Sequence, residues 1–341
     1  MSQRIRIEPS GHEFSAEAGE SVLDAALRAG HALPYSCRSG LCGSCMGTLV
    51  NGEVEYPDGE PPALGADDRA AGRVLCCQAV PRTDVTVRAR VIEVAGDLRP
   101  RVFPCRVLDL ERLAPDVMRM RLRLPGDGRL QFLAGQYLQF LLEGGRRRSF
   151  SLANAPHDDE SIELHIRHVP DGWFTGRVFE SLAPKAILRA EGPFGTFFLR
   201  PDDPRPRILM AGGTGFAPIK AMVEDALHRD DTRPIDLYWG ARDLRDLYLH
   251  ELAQEWAERH GHIRYVAVLS APGSEADRAI RRGWVHEAVL ADYPDLSGHS
   301  VYMSGPPPMI QAARHSFAAA GLDEVQLFFD SFEFSEDSAP R

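Results

Sequence analysis

The stretch YSCRSGLCGSC, Tyr35 to Cys45, places Cys37, Cys42 and Cys45 within nine residues, separated by four and then two others. Gly40 and Gly43 lie between them. A C-x4-C-x2-C run with a distant fourth cysteine is the plant-type spacing for a [2Fe–2S] cluster. The small residues Ser39, Gly40, Gly43 and Ser44 suit that chemistry, because backbone must wrap close enough for its N–H groups to reach sulfur. A zinc site is the alternative, since Cys42-x2-Cys45 alone is a zinc knuckle. The four-residue arm and the enclosing glycines favour iron. The fourth ligand falls to one of the adjacent pair Cys76-Cys77, and Cys105, further on, reads as an inert buried thiol.

Outward from this loop the chain reads as a small α+β domain over 1–97. RIRIEP alternates like a strand, and ESVLDAALRAG puts Val22, Leu23, Ala26 and Leu27 on one helical face with Gly30 as its stop. MGTLVNGEVEY predicts a hairpin turning at Asn51-Gly52, and DVTVRARVIEV a closing strand. AGDLRPRVFP is a linker. Over 102–200 the runs VMRMRLRL, QYLQFLL, RSFSLAN and IELHIRHV, separated by short turns, predict an all-β barrel. After a second linker, RPDDPRPR, residues 206–341 alternate strand and helix, the pattern of an α/β doubly wound parallel sheet.

The 341 residues carry a formal net charge of −10, which argues against nucleic acid and anionic membranes as partners. The N-terminal MSQRIRIEPSGHEF has no apolar signal core, and the apolar run near FLAGQYLQFLLEGG is broken by Gly135, Gln136 and Gln139. The expectation is a cytoplasmic protein with reduced cysteines.

YSCRSGLCGSCMGTLVNGEV together with LCCQAVPRTDVTV resembles the β-grasp [2Fe–2S] ferredoxin domain of multidomain flavin reductases. That resemblance implies Cys77, the cysteine directly before Gln78, as the fourth ligand and a packing role for Cys76. RRRSFSLAN resembles the flavin signature of ferredoxin–NADP⁺-reductase-type barrels. It implies Arg148 on the flavin pyrophosphate, Phe150 along the isoalloxazine or ribityl chain, and Ser151 near the flavin N5. A guanidinium matches phosphate oxygens, and an aromatic face covers a flat ring. In HIRHVPDGWFT the resemblance implies His165, Arg167 and Val169 beside the cofactor, with no special role for His168. Gly172 allows close backbone approach there, and Thr175 is expected to cap a phosphate-facing helix. EGPFGTFFL, with Gly192, Pro193 and Gly195, resembles the stretch that closes the barrel.

AGGTGFAPI follows a buried-looking strand and opens a helix, which makes Gly212, Gly213, Thr214 and Gly215 candidates for the nicotinamide nucleotide's pyrophosphate. Pro218 stands at the third glycine's position and suits a first helical turn. YMSGPPPM resembles the family's nicotinamide element, with Gly305 and Pro306 fixing the loop and Ser304 where the family has cysteine. Ser304 is expected to position the ring with slower hydride transfer. Phe332, in the tail FFDSFEF, is the candidate to pack near the flavin, whereas Phe328 is expected in the core.

The resemblance spans the chain in the order ferredoxin, flavin barrel, nucleotide domain, and within the superfamily runs to the CDP-6-deoxy-glucoseen (CDP-4-dehydro-6-deoxyglucose) reductase group. It implies an NAD(P)H-dependent reductase in which FAD takes two electrons and a [2Fe–2S] cluster, at about −400 mV if plant-like, passes them singly to a protein acceptor. The acceptor is a dehydrase, or an oxygenase component in the alternative reading; a redox sensor is the non-enzyme alternative, against which the complete nucleotide site counts. Asp243 leans the nucleotide choice to NADH, and Arg242 and Arg245 cut against it. Residues 1–97 hold nine arginines, no lysine and fourteen acids, net −5, which predicts an acceptor with a basic docking face.

Overall fold

The computed structural model describes residues 2–92, 98–126, 128–271 and 280–333. The chain divides into two compact units, Met1–Arg99 with Phe194–Thr196, and Pro100–Pro193 with Phe197–Arg341. Each is described by itself.

In the first unit β1 (Gln3–Glu8) and β2 (Glu13–Ala16) pair antiparallel, and Ile5 and Ile7 bury one face of β1. α1 (Val22–Arg28) starts at Ser21, whose hydroxyl accepts the Asp24 N–H at 3.1 Å. Its buried face is Val22, Leu23, Ala25 and Ala26; Leu27 is only half-buried. Gly30 follows with φ 87°, the left-handed stop expected of it. Then come β3 (Met46–Asn51), β4 (Val54–Glu55), α2 (Ala66–Ala70), β5 (Arg73–Leu75), β6 (Val80–Pro81) and β7 (Val85–Arg88). The sheet runs β2-β1-β7-β3-β5, with β1 parallel to β7 at its centre. The helix lies across it, Val22 and Leu23 donating to the carbonyls of Ala79 and Cys76.

The hairpin expected at Asn51-Gly52 does not form. The chain does turn there, but β3 pairs with β5 and β7, while β4 leaves to pair with β6. Gly52 passes hard against the Asp84 backbone, where a Cβ would lie 2.2 Å from the carbonyl oxygen, and Glu53 N–H bonds Thr83 Oγ1 at 3.0 Å. Long-range contacts with residues 83–84 therefore redirect a sequence that locally favours a hairpin. The strand expected to 94 ends at Arg88, and Glu93–Asp97 lie outside the described residues.

The second unit opens with β8 (Arg101–Ala114), β9 (Val117–Arg123), β10 (Tyr137–Leu141), β11 (Arg147–Ser151), β12 (Ile162–Arg167), α3 (Trp173–Glu180) and β13 (Ile187–Phe194). Their order is β11-β10-β13-β8-β9-β12, and a bridge between Leu152 and Leu164 closes the sheet into a barrel. Met120, Leu122, Leu138, Phe140, Leu152, Leu164 and Ile166 fill it.

A parallel sheet follows. Its elements are β14 (Arg207–Gly212), α4 (Phe216–His228), β15 (Ile235–Ala241), α5 (His250–Arg259), β16 (Ile263–Leu269), β17 (Arg281–Arg282), α6 (Val285–Asp292), β18 (Ser300–Gly305), α7 (Pro307–Ala319) and β19 (Leu327–Ser331). Every residue of β14 and β18 is buried, as strands covered on both faces must be. The order β17-β16-β15-β14-β18-β19 shows the chain starting at β14, stepping outward, then returning to the other side of β14. That reversal makes a switch point between the C-terminal ends of β14 and β18, the place where open α/β sheets hold ligands.

Candidate functional site

In the cysteine loop Arg38, Gly40 and Gly43 take φ of 60°, 76° and 78°. These left-handed steps coil the backbone, so that Ser39 N–H reaches Cys37 Sγ at 3.4 Å and Ser44 N–H reaches Cys42 Sγ at 3.5 Å. Gln78 Nε2 donates to the Arg38 carbonyl at 3.0 Å, tying the loop to the Cys76-Cys77 segment. Gly40 is needed for clearance too: a Cβ there would lie 2.8 Å from Pro61. The thiols act on one another as two pairs, Cys37 with Cys42 and Cys45 with Cys77, and within each pair the neighbouring thiol pushes Cys42 and Cys45 well above the usual thiol range. The same pairing pulls Cys37 and Cys77 below it.

Cys76 is different. Its sulfur faces β3, where a Cβ on Gly47 would lie 3.3 Å from it, and burial pushes its thiol up to about 12. Cys105, buried in the barrel, is likewise pushed up to about 12 by burial. Each iron of a [2Fe–2S] core takes two thiolates beside the bridging sulfides, so two thiol pairs fit that group.

On β11 alternation sets Arg148 and Phe150 on one face, both half-buried, and Phe150 packs on Phe140 and Phe174 with ring centres 5.8 and 5.6 Å away. Ser151, at the buried end, donates to Asp330 Oδ2 at 3.1 Å. Asp330 lies on β19, and Phe332 just beyond it donates its N–H to the Gly305 carbonyl at 2.9 Å. Ser151, Phe332 and Gly305 are thus brought together through a residue the sequence reading missed.

Thr175 is not the helix cap. Gly172 is, and Thr175 is the third helical residue; its hydroxyl accepts Val169 N–H at 3.1 Å and lies 3.3 Å from the Val169 carbonyl. It fastens the turn Val169–Gly172 beneath the helix start, whose first N–H groups are left without a side-chain cap. His165 is fully buried, with Nδ1 3.0 Å from Tyr248 Oη and Nε2 3.0 Å from Glu163 Oε1. Both ring nitrogens are taken by protein groups, so only its backbone is left to face a cofactor. Arg167 pairs with Asp116 at 3.3 Å and lies beside Gly213.

At the switch point the glycines work by clearance. A Cβ on Gly212 would lie 2.5 Å from Met309 Sδ, one on Gly215 would lie 2.0 Å from the Ser304 carbonyl oxygen, and one on Gly305 would lie 2.9 Å from the Gly212 carbonyl oxygen. The two loops are pressed backbone to backbone, with Thr214 buried between Gly213 and Gly215, and Pro306 opening α7. Gly213, at φ 54°, meets the Arg167 guanidinium, where a Cβ would lie 2.9 Å from Nη1. Its carbonyl accepts Trp239 Nε1–H at 3.0 Å, and Trp239 stacks on Phe216 at 3.7 Å. Ser304 is fully buried in β18. Phe328 stacks on Tyr302 at 4.6 Å, in the core as expected.

Residues 5–82 match the 2Fe-2S iron-sulfur cluster binding domain, 104–199 the oxidoreductase FAD-binding domain and 209–315 the oxidoreductase NAD-binding domain. The chain is 40% identical to the CDP-6-deoxy-L-threo-D-glycero-4-hexulose-3-dehydrase reductase of Yersinia pestis, over 97% of this chain and 99% of that one. It is 37% identical to reductase component 1 of terephthalate 1,2-dioxygenase from Comamonas sp, over 98% of both. The crystal structure of the Amycolatopsis cytochrome P450 reductase GcoB aligns with a TM-score of 0.78 at 36% identity, covering 97% of this chain and 98% of that one. No helix among the described residues is long and apolar enough to cross a membrane. The chain belongs to the ferredoxin-reductase-type family of NAD(P)H-dependent oxidoreductases that carry a [2Fe–2S] cluster, FAD and a nicotinamide-nucleotide domain on one polypeptide.

Proposed function

We propose that this chain takes electrons from NADH and delivers them singly to a separate cytoplasmic protein, a CDP-6-deoxyhexulose dehydrase. When bound, the three groups together convert a two-electron hydride donor into a source of single electrons. Cys37, Cys42, Cys45 and Cys77 hold the cluster, and Gln78 holds their loop closed. Arg148 and the uncapped start of α3 at Gly172 and Thr175 take the flavin pyrophosphate, with Arg167, Val169 and the His165 backbone alongside. Phe150 would lie along the flavin's isoalloxazine or ribityl region and Ser151 near its N5. The Ser151 hydroxyl is oriented by its bond to Asp330. Gly212, Gly213, Thr214, Gly215, Gly305 and Pro306 shape the nucleotide cleft, and Ser304 and Phe332 line the nicotinamide–flavin contact. The three parts fall at 1–97, 102–200 and 206–341.

The observation that carries the choice of partner is the end-to-end match, at 40% identity, to a dehydrase reductase. Glu53, Asp58 and Asp67 are exposed, and residues 1–97 carry a net charge of −5, which suits an acceptor with a basic docking face. The test mixes the purified protein and NADH with the CDP-6-deoxyhexulose dehydrase and its substrate, and follows the deoxygenated product. Turnover that requires this chain supports the reading. Reduction of artificial acceptors with no dehydrase turnover contradicts it and favours an oxygenase component, the partner class named for the terephthalate reductase.

A further inference from the structure

Lys220 is one of only two lysines in the chain. It lies on α4, the helix that follows the glycine turn, with its side chain 11% exposed. Its ammonium donates to the Ala153 carbonyl at 3.1 Å and to Glu224 Oε2 at 2.9 Å, and stands 3.3 Å from Glu163 Oε1. Three acceptors around one compact, three-donor ammonium are satisfied by lysine; the planar fork of arginine, which this chain uses almost everywhere else, cannot reproduce them. Ala153 lies two residues beyond Ser151, and Glu163 lies on β12 of the barrel.

The same Glu163 oxygen reaches His165 Nε2, and the other nitrogen of that ring reaches Tyr248 Oη, both at 3.0 Å. Tyr248 packs edge-on against Trp239, ring centres 5.2 Å apart, and Trp239 donates to the Gly213 carbonyl. The contacts form one unbroken chain. It starts at the barrel segment carrying the flavin-side serine and ends at the glycine turn of the nucleotide sheet. None of its side chains needs to touch a cofactor.

We propose that Lys220, Glu163, His165 and Tyr248 are positioning residues that set the nucleotide-binding turn at its working distance from the flavin-binding strands. This rests on the assignment of those two elements given above. Lys220 and His165 are buried, Glu163 and Tyr248 half-buried, and each is bonded to its neighbour, so the network has one satisfied arrangement rather than a continuum of looser ones. A shift of the turn of about 1 Å is enough to cost up to about a hundredfold in a transfer step.

The experiment uses the full chain loaded with FAD and cluster. Lys220→Met, Lys220→Arg and Tyr248→Phe are compared with the native protein by anaerobic stopped-flow reduction of the flavin over a range of NADH concentrations. Lys220→Met should lower the limiting reduction rate about tenfold, within the span a displacement of this size allows. The apparent Kd for NADH should change less than threefold, and FAD content should be retained. Lys220→Arg should not rescue it. Tyr248→Phe, which keeps the ring packing, should cost about threefold, and the double variant Lys220→Met with Tyr248→Phe should lose less than the product of the two, because both act through one chain. Hydrogen exchange should rise in the peptides spanning 151–153 and 212–216. If Lys220→Met fails to fold, Tyr248→Phe and Glu163→Gln carry the same test. A folded, FAD-replete Lys220→Met with a native limiting rate and native exchange overturns the proposal. So does a loss confined to Kd or to FAD retention. A native protein whose flavin neither NADH nor NADPH reduces contradicts the function proposed above instead.

Discussion

The cysteine loop and the glycine turn are both short, glycine-bearing segments, and their glycines do mainly different work. In the loop Cys37–Cys45 the glycines supply left-handed backbone, so that N–H groups turn inward and four thiols come together in two pairs. At Gly212–Gly215 the glycines supply clearance, because the loop after β18 lies against the turn with no room for a Cβ. The first segment carries its chemistry in side chains; the second carries it in bare backbone and leaves side-chain work to residues outside the turn, Lys220 on the helix that follows and the distant Tyr248 and Asp330 among them. A substitution should therefore break the first by removing a ligand and the second by adding an atom.

The largest effect expected is in the loop. Cys77→Ser should abolish the visible absorption and iron content of the cluster, whereas Cys76→Ser should keep both, because Cys76 faces β3 rather than the thiol pairs. The opposite pattern would exchange the two assignments. Next, Gly215→Ala should destabilise the full chain by about 3 kcal/mol, since a Cβ 2.0 Å from a backbone oxygen must displace one loop. Gly43→Ala pays only for a left-handed alanine, about 1–2 kcal/mol. Equal losses in denaturant unfolding would remove the distinction drawn between the two segments.

A smaller effect concerns the network behind the turn. Burial raises the Glu163 carboxyl, but the hydrogen bond with His165 and the charge of Lys220 outweigh it and hold it down at about 2. A depressed folded pKa contributes stability above the unfolded value of about 4.3, lost as pH falls toward 2. Native protein should lose stability more steeply between about pH 4.5 and 2 than Glu163→Gln, read from thermal unfolding across that range. Parallel curves would show the carboxylate to be unpaired in solution. The smallest effect is on nucleotide choice. Arg242 pairs with Asp246 at 3.0 Å and lies 3.8 Å from Asp116, so two carboxylates compete with a 2′-phosphate for it, and Asp243 stays beside the end of β15. The native chain should prefer NADH in kcat/KM, and Asp243→Ser should narrow that preference by about tenfold, one carboxylate's repulsion in a partly solvated site. An NADPH preference in the native protein would reverse this assignment.

The same contrast explains what could be read without coordinates. The cysteines, the glycine turn and the three-part fold were legible because each rests on local spacing or period: four-then-two between thiols, alternation in β11 and β12, strand–turn–helix at Gly212. The hairpin at Asn51-Gly52 was misread because the force that redirects β4 comes from residues 83–84. The family resemblance sets His165 beside the cofactor, yet its ring is held by Glu163 and by Tyr248, 83 residues on. Thr175 has the composition of a cap but sits two residues inside the helix. Asp330 gave no signal at all, since nothing near it in sequence reveals Ser151 as its partner. Side chains whose partners are distant in sequence have no period to betray them.

The most direct test of the central reading is anaerobic titration of the FAD- and cluster-loaded protein with NADH, following the flavin and iron–sulfur absorption separately. The account predicts that both bleach in the native chain, and that in Cys77→Ser only the flavin band does so. Flavin that bleaches in the native protein while an intact cluster stays oxidised, even with excess NADH, would contradict it.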